Sequence, residues 1–248
     1  MEIPKLVGHR GYPNCYPENS IIGFEAAIRS GACYIETDIQ LTSDLVPILF
    51  HDRTMDRACG TPGPIHQYTL TQLSDFQASE FDKFGYKFAR NPINTLEELV
   101  RLLRGYPHVT AFIELKRISL EHFGPATVCQ KVLGLLAPVA RQCVVISYSL
   151  DALASVRNQG WQQIGAVFDH WKDTQRDNVR KLRPEYIFCD IEGLPRWGKI
   201  KSNYGKIAVF ETVCPDTALR LARRGIEFVE TYAIAEMLSA IKNMQRQQ

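Results

Sequence analysis

With 248 residues, 45% hydrophobic and 23% charged, the chain has ordinary globular composition and enough apolar material for one sizeable core. A formal charge of +2, from 29 basic and 27 acidic residues, argues against a dedicated nucleic-acid binder, which would carry a basic stripe; affinity for anions is expected to be local. Seven cysteines without a C-x-x-C pair argue against a zinc ribbon, and their odd number and irregular spacing suit a reducing compartment better than a disulfide framework.

Met1 to Lys5 runs straight into Leu6-Val7-Gly8, a short buried-strand candidate with no room for an apolar leader before it. No apolar run reaches membrane-spanning length, so a soluble cytoplasmic protein without stable membrane insertion is expected. Beyond a polar turn, Asn19 or Ser20 can cap a helix in which Ile21, Phe24, Ala27 and Ile28 recur at helical spacing up to Gly31. Cys33 to Leu41 alternates with period two, Ser43-Asp44 makes a turn, and Val46 to Phe50 reads as a returning strand that delivers His51. From Arg53 to Asn94 the rhythm breaks. Gly60, Pro62, Gly63 and Pro64 punctuate a loop, and only short helical patches follow. This stretch is expected to be a small cap inserted after the second strand, with Tyr12, Tyr16, Phe81, Phe84, Tyr86 and Phe88 making its core. Thr95 and Glu98 form a capping box for a helix that ends at Gly105.

The rest of the chain is regular. Strands are expected over Val109–Leu115, Cys143–Tyr148, Ile164–Phe168, Tyr186–Cys189, Ile207–Phe210 and Ile226–Val229. Helices are expected over Glu121–Leu136, Leu150–Asn158, Lys172–Leu182, Pro195–Tyr204, Pro215–Arg223 and Ala233–Met244. Cys33, Cys143 and Cys189 fall in apolar runs and are expected in the core. With the first two units, eight strand–helix pairs imply a parallel sheet and favour a closed α/β fold, a (β/α)8 TIM barrel, as one domain spanning 1–248. The open doubly wound sheet is disfavoured because no glycine-rich phosphate loop follows the first strand.

Glu36 and Asp38 lie two apart on a strand and so share a face. Inside a barrel, two acids carry a large desolvation cost unless a positive group compensates them. A divalent cation at the barrel mouth is the simplest compensator, and Glu114, at the end of another apolar run, supplies a further oxygen. Three carboxylates without thiolates favour a hard ion, Mg²⁺ or Ca²⁺. Outward-facing polar residues on a half-exposed strand would be the bland alternative for an isolated E-x-D. It loses ground because His9 and His51 follow flanking apolar strands. A histidine pair across a metal-bound phosphate can divide general base from general acid. Arg10 and Lys116 add positive charge suited to phosphate, or to balancing the acids. His66, His108, His122 and His170 sit in loop or helix contexts and are assigned no chemistry.

Taken together, His9-Arg10-Gly11, Pro17-Glu18-Asn19, Glu36-x-Asp38, Thr42-Ser43-Asp44, His51-Asp52, Thr95-Leu96-Glu97-Glu98 and Glu114-x-Lys116 resemble the glycerophosphodiester phosphodiesterases. The resemblance is dense over the first half of the chain and weak over the second. It implies a metal-dependent (β/α)8 barrel that cleaves a small-molecule glycerophosphodiester to glycerol 3-phosphate and an alcohol. It also implies metal binding by Glu36, Asp38 and Glu114, acid–base work by His9 and His51, and phosphate binding by Arg10 and Lys116. Three departures from the family pattern stand out: Leu45 replaces a usual glycine, Phe210-Glu211-Thr212-Val213 replaces W-T-V-N, and Glu230-Thr231-Tyr232-Ala233 replaces T-D-x-P. They leave the substrate open. A lysophospholipid-cleaving relative and a non-catalytic phosphodiester-binding barrel are the alternatives.

Overall fold

The computed structural model describes residues 2–246. Strand β1 (Lys5–Gly8) leads to helix α1 (Ile21–Arg29), then β2 (Tyr34–Leu41) and β3 (Pro47–Leu49). After an irregular excursion come α2 (Leu96–Gly105), β4 (Thr110–Leu115), α3 (Arg117–Phe123), α4 (Pro125–Leu136) and β5 (Cys143–Ser147). The chain continues with α5 (Leu150–Asn158), β6 (Ile164–Phe168), α6 (Asp177–Leu182), β7 (Tyr186–Asp190), β8 (Lys206–Phe210), α7 (Pro215–Arg223), β9 (Phe228–Thr231) and α8 (Ile234–Arg246).

Every strand except β3 runs parallel to its neighbours, and β1 pairs with both β2 and β9. That double pairing closes eight parallel strands into a (β/α)8 barrel. β3 folds back antiparallel on β2, with Ile39 opposite Leu49, and so carries the chain to His51 at the mouth.

Residue parity explains what lies inside. Side chains alternate across a strand. Ile35 and Ile39 of β2 face the helices, where they join a core that includes Leu99, Val128 and Leu153. The opposite parity fills the barrel: Phe112 packs against Tyr186, Phe188 and Phe228 with ring centroids 5.0–6.0 Å apart. Tyr34 rests on the same aromatic layer. One step further along each strand at the same parity stand Glu36, Glu114 and Glu230, with Asp38 a step beyond. The acids thus lie at the C-terminal ends of the strands, above a dry aromatic floor.

Several expected elements differ. Pro195–Tyr204 is not a helix. A short turn at Ile191–Gly193 is followed by a segment bonded to Arg224 instead of to itself: Arg224 Nε donates to the Gly198 carbonyl at 3.0 Å, and Ile200 N donates to the Arg224 carbonyl at 2.6 Å. Gly198, at φ +86°, breaks helical continuity there. The helix expected over Glu121–Leu136 divides at Gly124, because Pro125 at the first helical position disfavours helical backbone in the residue before it. The helix expected over Lys172–Leu182 divides at Arg176, which is extended between a tight turn and α6. Cys33 is exposed, whereas Cys143 and Cys189 are buried.

The excursion between β3 and α2 packs around Ile48, Phe50, Met55, Ala58, Ile65, Leu73, Ala78 and Ile93. Its core is therefore aliphatic for the most part, not the six aromatics expected. Phe81–Phe84 and Gly85–Phe88 form two successive short turns, too short to bury both sides. Phe81 is 50% and Tyr86 83% exposed, while Tyr12 belongs to the main barrel core.

Candidate active site

The site begins with a tight turn at the end of β1. Gly11 N donates to the Gly8 carbonyl at 3.1 Å, and a Cβ on Gly8 would stand 2.6 Å from the Gly11 carbonyl oxygen. Only glycine fits there. The turn places Arg10 at φ +56° and directs its side chain to the acids: Nε lies 3.2 Å from Asp38 and Nη1 donates to Glu18 at 3.2 Å. Asn19 does not cap α1; Ser20 does, accepting from Gly23 N. Asn19 instead donates to Asp38 Oδ2 at 2.9 Å and accepts from Thr37 Oγ1 at 2.8 Å, bolting the α1 approach to β2. The Pro17-Glu18-Asn19 segment is thus a bracket for Arg10 and Asp38.

Glu36, Asp38 and Glu114 each offer an oxygen within 4.8 Å of the others, so the three could hold one metal ion. Glu36 Oε1 is buried without a hydrogen-bond partner, as is Glu230 Oε1 nearby. Buried, unpartnered carboxylate oxygens are what a hard cation requires, and the donor set fits one. Lys116 supplies part of the compensating charge, with Nζ 3.1 Å from both Asp38 Oδ1 and Glu114 Oε1. Burial pushes the Glu36 carboxyl well above the ordinary range, reinforced by Asp38, Glu230 and Glu114. Asp38 is equally buried, yet Lys116 and Arg10 outweigh desolvation and hold its carboxyl far below that range. Burial also raises Glu114, against the opposing pull of Lys116. Burial favours the protonated form at Glu36, as it does at Glu230.

The two histidines flank this trio. His9 is buried, its Nε2 3.6 Å from Glu36 Oε2 and its Nδ1 against a Glu211 carboxylate oxygen. Its ring stacks on Tyr232 with centroids 4.9 Å apart. Burial lowers the His9 pKa, with the Glu211 hydrogen bond opposing. His51 is more open; its Nδ1 lies 2.8 Å from Asp52 Oδ1. Asp52 is in turn bonded at 2.7 Å by Arg57 Nε, and Arg57 also binds Glu18 and Glu80. One arginine therefore ties the excursion to the barrel mouth. All seven residues singled out in the sequence, Arg10, Lys116, the histidines and the three acids, line or border one mouth.

The sequence set apart the segments of Glu211 and Glu230 only as departures from the family pattern and assigned neither acid a role at the site. Glu230 is 2% exposed, has an unpartnered Oε1, and is raised by burial and by Glu211. The signal was present, since Glu230 follows Phe228 at barrel-facing parity as Glu114 follows Phe112.

A small central cavity of about 80 Å³ reaches His9, Glu36, His51, Glu114, Lys116 and Glu230. Two larger cavities share lining residues with it. A cavity of about 480 Å³ runs past His51, Asp52, Lys116, Arg117 and Tyr148, and one of about 380 Å³ runs past Arg10, Arg57, Lys83 and Tyr232. A cleft of about 520 Å³ between Tyr34 and α8 is lined by no acid or histidine. Among the described residues no single helix is long and apolar enough to cross a membrane.

A family model described as the glycerophosphoryl diester phosphodiesterase family matches residues 9–187. The chain is 39% identical over 98 residues to a glycerophosphodiester phosphodiesterase of Caldanaerobacter subterraneus subsp. tengcongensis, covering 40% of each chain. It is 31% identical over 194 residues to human glycerophosphodiester phosphodiesterase 1, covering 77% of this chain and 53% of that protein. The matched stretches thus span about half, or less, of these relatives. Among solved structures, an Oleispira antarctica phosphodiesterase in complex with the product sn-glycerol-3-phosphate superposes with TM-score 0.84 at 20% identity, covering 97% of both chains. The glycerophosphodiester phosphodiesterase of Thermotoga maritima superposes with TM-score 0.72 at 21% identity, covering 97% of this chain and 99% of that one. Those two likenesses speak for the fold. The match from His9 into β7 speaks for descent, and the chain belongs to the glycerophosphoryl diester phosphodiesterase family.

Proposed function

We propose that the protein is a metal-dependent phosphodiester hydrolase that cleaves glycerophosphodiesters to glycerol 3-phosphate and an alcohol. The observation that carries this reading is the convergence of His9 and His51 on the mouth formed by Glu36, Asp38 and Glu114. A divalent cation held by those three acids, Mg²⁺ or Ca²⁺, would act as a Lewis acid on the phosphate oxygens. Arg10 and Lys116 hold the phosphate and stabilise the charge that builds up in the transition state. One imidazole removes a proton from the nucleophile, either water or the glycerol 2-hydroxyl. The other gives a proton to the departing alkoxide. Asp52 engages His51 Nδ1, which leaves Nε2 for that exchange. The two larger cavities beside the central one offer room for the glycerol and the alcohol.

The residues from 53 to 94 serve as a cap, anchored through Arg57. Seven free cysteines suit a reducing, cytoplasmic setting. A lysophospholipid substrate is the second reading, favoured by the exposed Phe81 and Tyr86 on the cap. Hydrolysis of glycerophosphocholine, glycerophosphoethanolamine and a lysophospholipid, each with Mg²⁺ and with Ca²⁺, tests the reading. Release of glycerol 3-phosphate from the first two supports it. Exclusive turnover of the lysolipid would replace it with the second reading, and no turnover of any would leave a binding barrel.

A further inference from the structure

The two histidines obtain their carboxylate partners in different ways. His51 is followed directly by Asp52, and the pair closes locally at 2.8 Å. His9 is followed by Arg10, whose side chain turns to Asp38 and Glu18. Its partner comes from the far end of the chain: Glu211, just past β8, brings a carboxylate oxygen onto His9 Nδ1. The other carboxylate near that nitrogen, Glu230 Oε2, stands at 3.7 Å, beyond hydrogen-bonding range. Tyr232, just past β9, covers the ring face at an interplanar angle of 13°. Two loops that depart from the family pattern therefore clamp one imidazole, one by its edge and one by its face.

We propose that Glu211 is the positioning residue of His9. It accepts a hydrogen bond from Nδ1–H, selects that tautomer, and turns the Nε2 lone pair toward Glu36 and the phosphate. An imidazole presents only one lone pair when neutral, and a partner on one nitrogen decides which. Without Glu211 the ring would be free to place its proton on Nε2 beside Glu36 Oε2, 3.6 Å away. That tautomer could not take up a proton at Nε2, which His9 needs either as the base or, between turnovers, to recharge as the acid. The proposal deepens the reading of His9 as an acid–base group and rests on it for its kinetic arm alone.

The test combines two measurements on the full chain. Nitrogen-15 NMR of histidine-labelled protein, with His9 assigned by its loss in His9→Gln, reports the tautomer. Steady-state hydrolysis of glycerophosphocholine with saturating cation reports turnover. The wild type is expected to show the Nδ1–H form at His9. Glu211→Ala is expected to lose that single form and to lower kcat about 10- to 100-fold, with KM changed less than about twofold. Glu211→Asp, which keeps a carboxylate, is expected to recover part of both signals. If Glu211→Ala does not fold, Glu211→Asp and Glu211→Gln carry the same comparison. An unchanged His9 tautomer in the variants overturns the proposal, even where kcat falls. A wild type that hydrolyses nothing counts against the proposed activity, while the NMR signal still decides the role of Glu211.

Discussion

At the residue scale, the site is a contest between burial and charge. Four acids, Glu36, Asp38, Glu114 and Glu230, crowd the barrel mouth; Asp38 has both Arg10 and Lys116 beside it and is held ionised, whereas burial raises the other three. The pH dependence follows from Glu36. Its folded pKa is raised, so the folded state binds the proton more tightly than the unfolded chain, whose carboxyl titrates near about 4.3. In cation-free protein, stability from this group is therefore full at low pH and is lost as pH rises from that value toward the folded pKa. Glu36→Gln removes the proton and the penalty together. The variant minus wild-type difference in Tm is expected to grow as pH rises above the ordinary carboxyl range without cation, measured by thermal melts in chelator. Adding cation is expected to raise the wild-type Tm but not that of the variant. At the same scale, His9→Gln or His51→Gln is expected to lower kcat about 10²- to 10⁴-fold with the melting curve retained. Wild-type turnover in either variant would remove that histidine from the chemistry.

At the scale of elements, the turn after β1 and the folded-back β3 matter most. Gly8 leaves no room for a Cβ, so Gly8→Ala must push the Gly11 carbonyl away and displace Arg10 from Asp38. The expected outcome is loss of stability by about 1–3 kcal/mol and a larger loss of kcat/KM than cation affinity, compared by denaturant melts and steady-state kinetics. Elements built from local rules were legible in the sequence. Ser20 and Thr95 cap helices where short polar side chains precede apolar periodicity, and Glu98 closes the expected capping box. The segment from Pro195 to Tyr204 was not legible, because its backbone is satisfied by Arg224, a partner from a distant turn that periodicity cannot register. The excursion between β3 and α2 misled for a related reason. Its aromatics suggested a core, but Ile48 and Phe50, on and just past β3, join Met55 and Ile65 to make it.

At the scale of the whole molecule, the barrel is a scaffold that makes parity serve chemistry. The same alternation that sends Phe112, Phe188 and Phe228 inward sends Glu36, Glu114 and Glu230 inward one step higher. Phe112→Ala empties the aromatic floor and is expected to cost about 3–5 kcal/mol in a denaturant melt, with the metal site loosened because its floor is gone. The first half of the site was legible because His9, Glu36, Asp38, His51 and Glu114 lie in motifs with short spacings. Glu211 and Glu230 were not assigned because closing the barrel, by pairing β1 with β9, is what brings them to His9. On the proposed reading, three acids hold a cation on which phosphodiester cleavage depends. Its most direct test is turnover of glycerophosphocholine by chelator-stripped protein as Mg²⁺ or Ca²⁺ is restored stepwise. Activity that vanishes on stripping and returns with saturating dependence on cation is the predicted result; undiminished turnover in the stripped protein would contradict it.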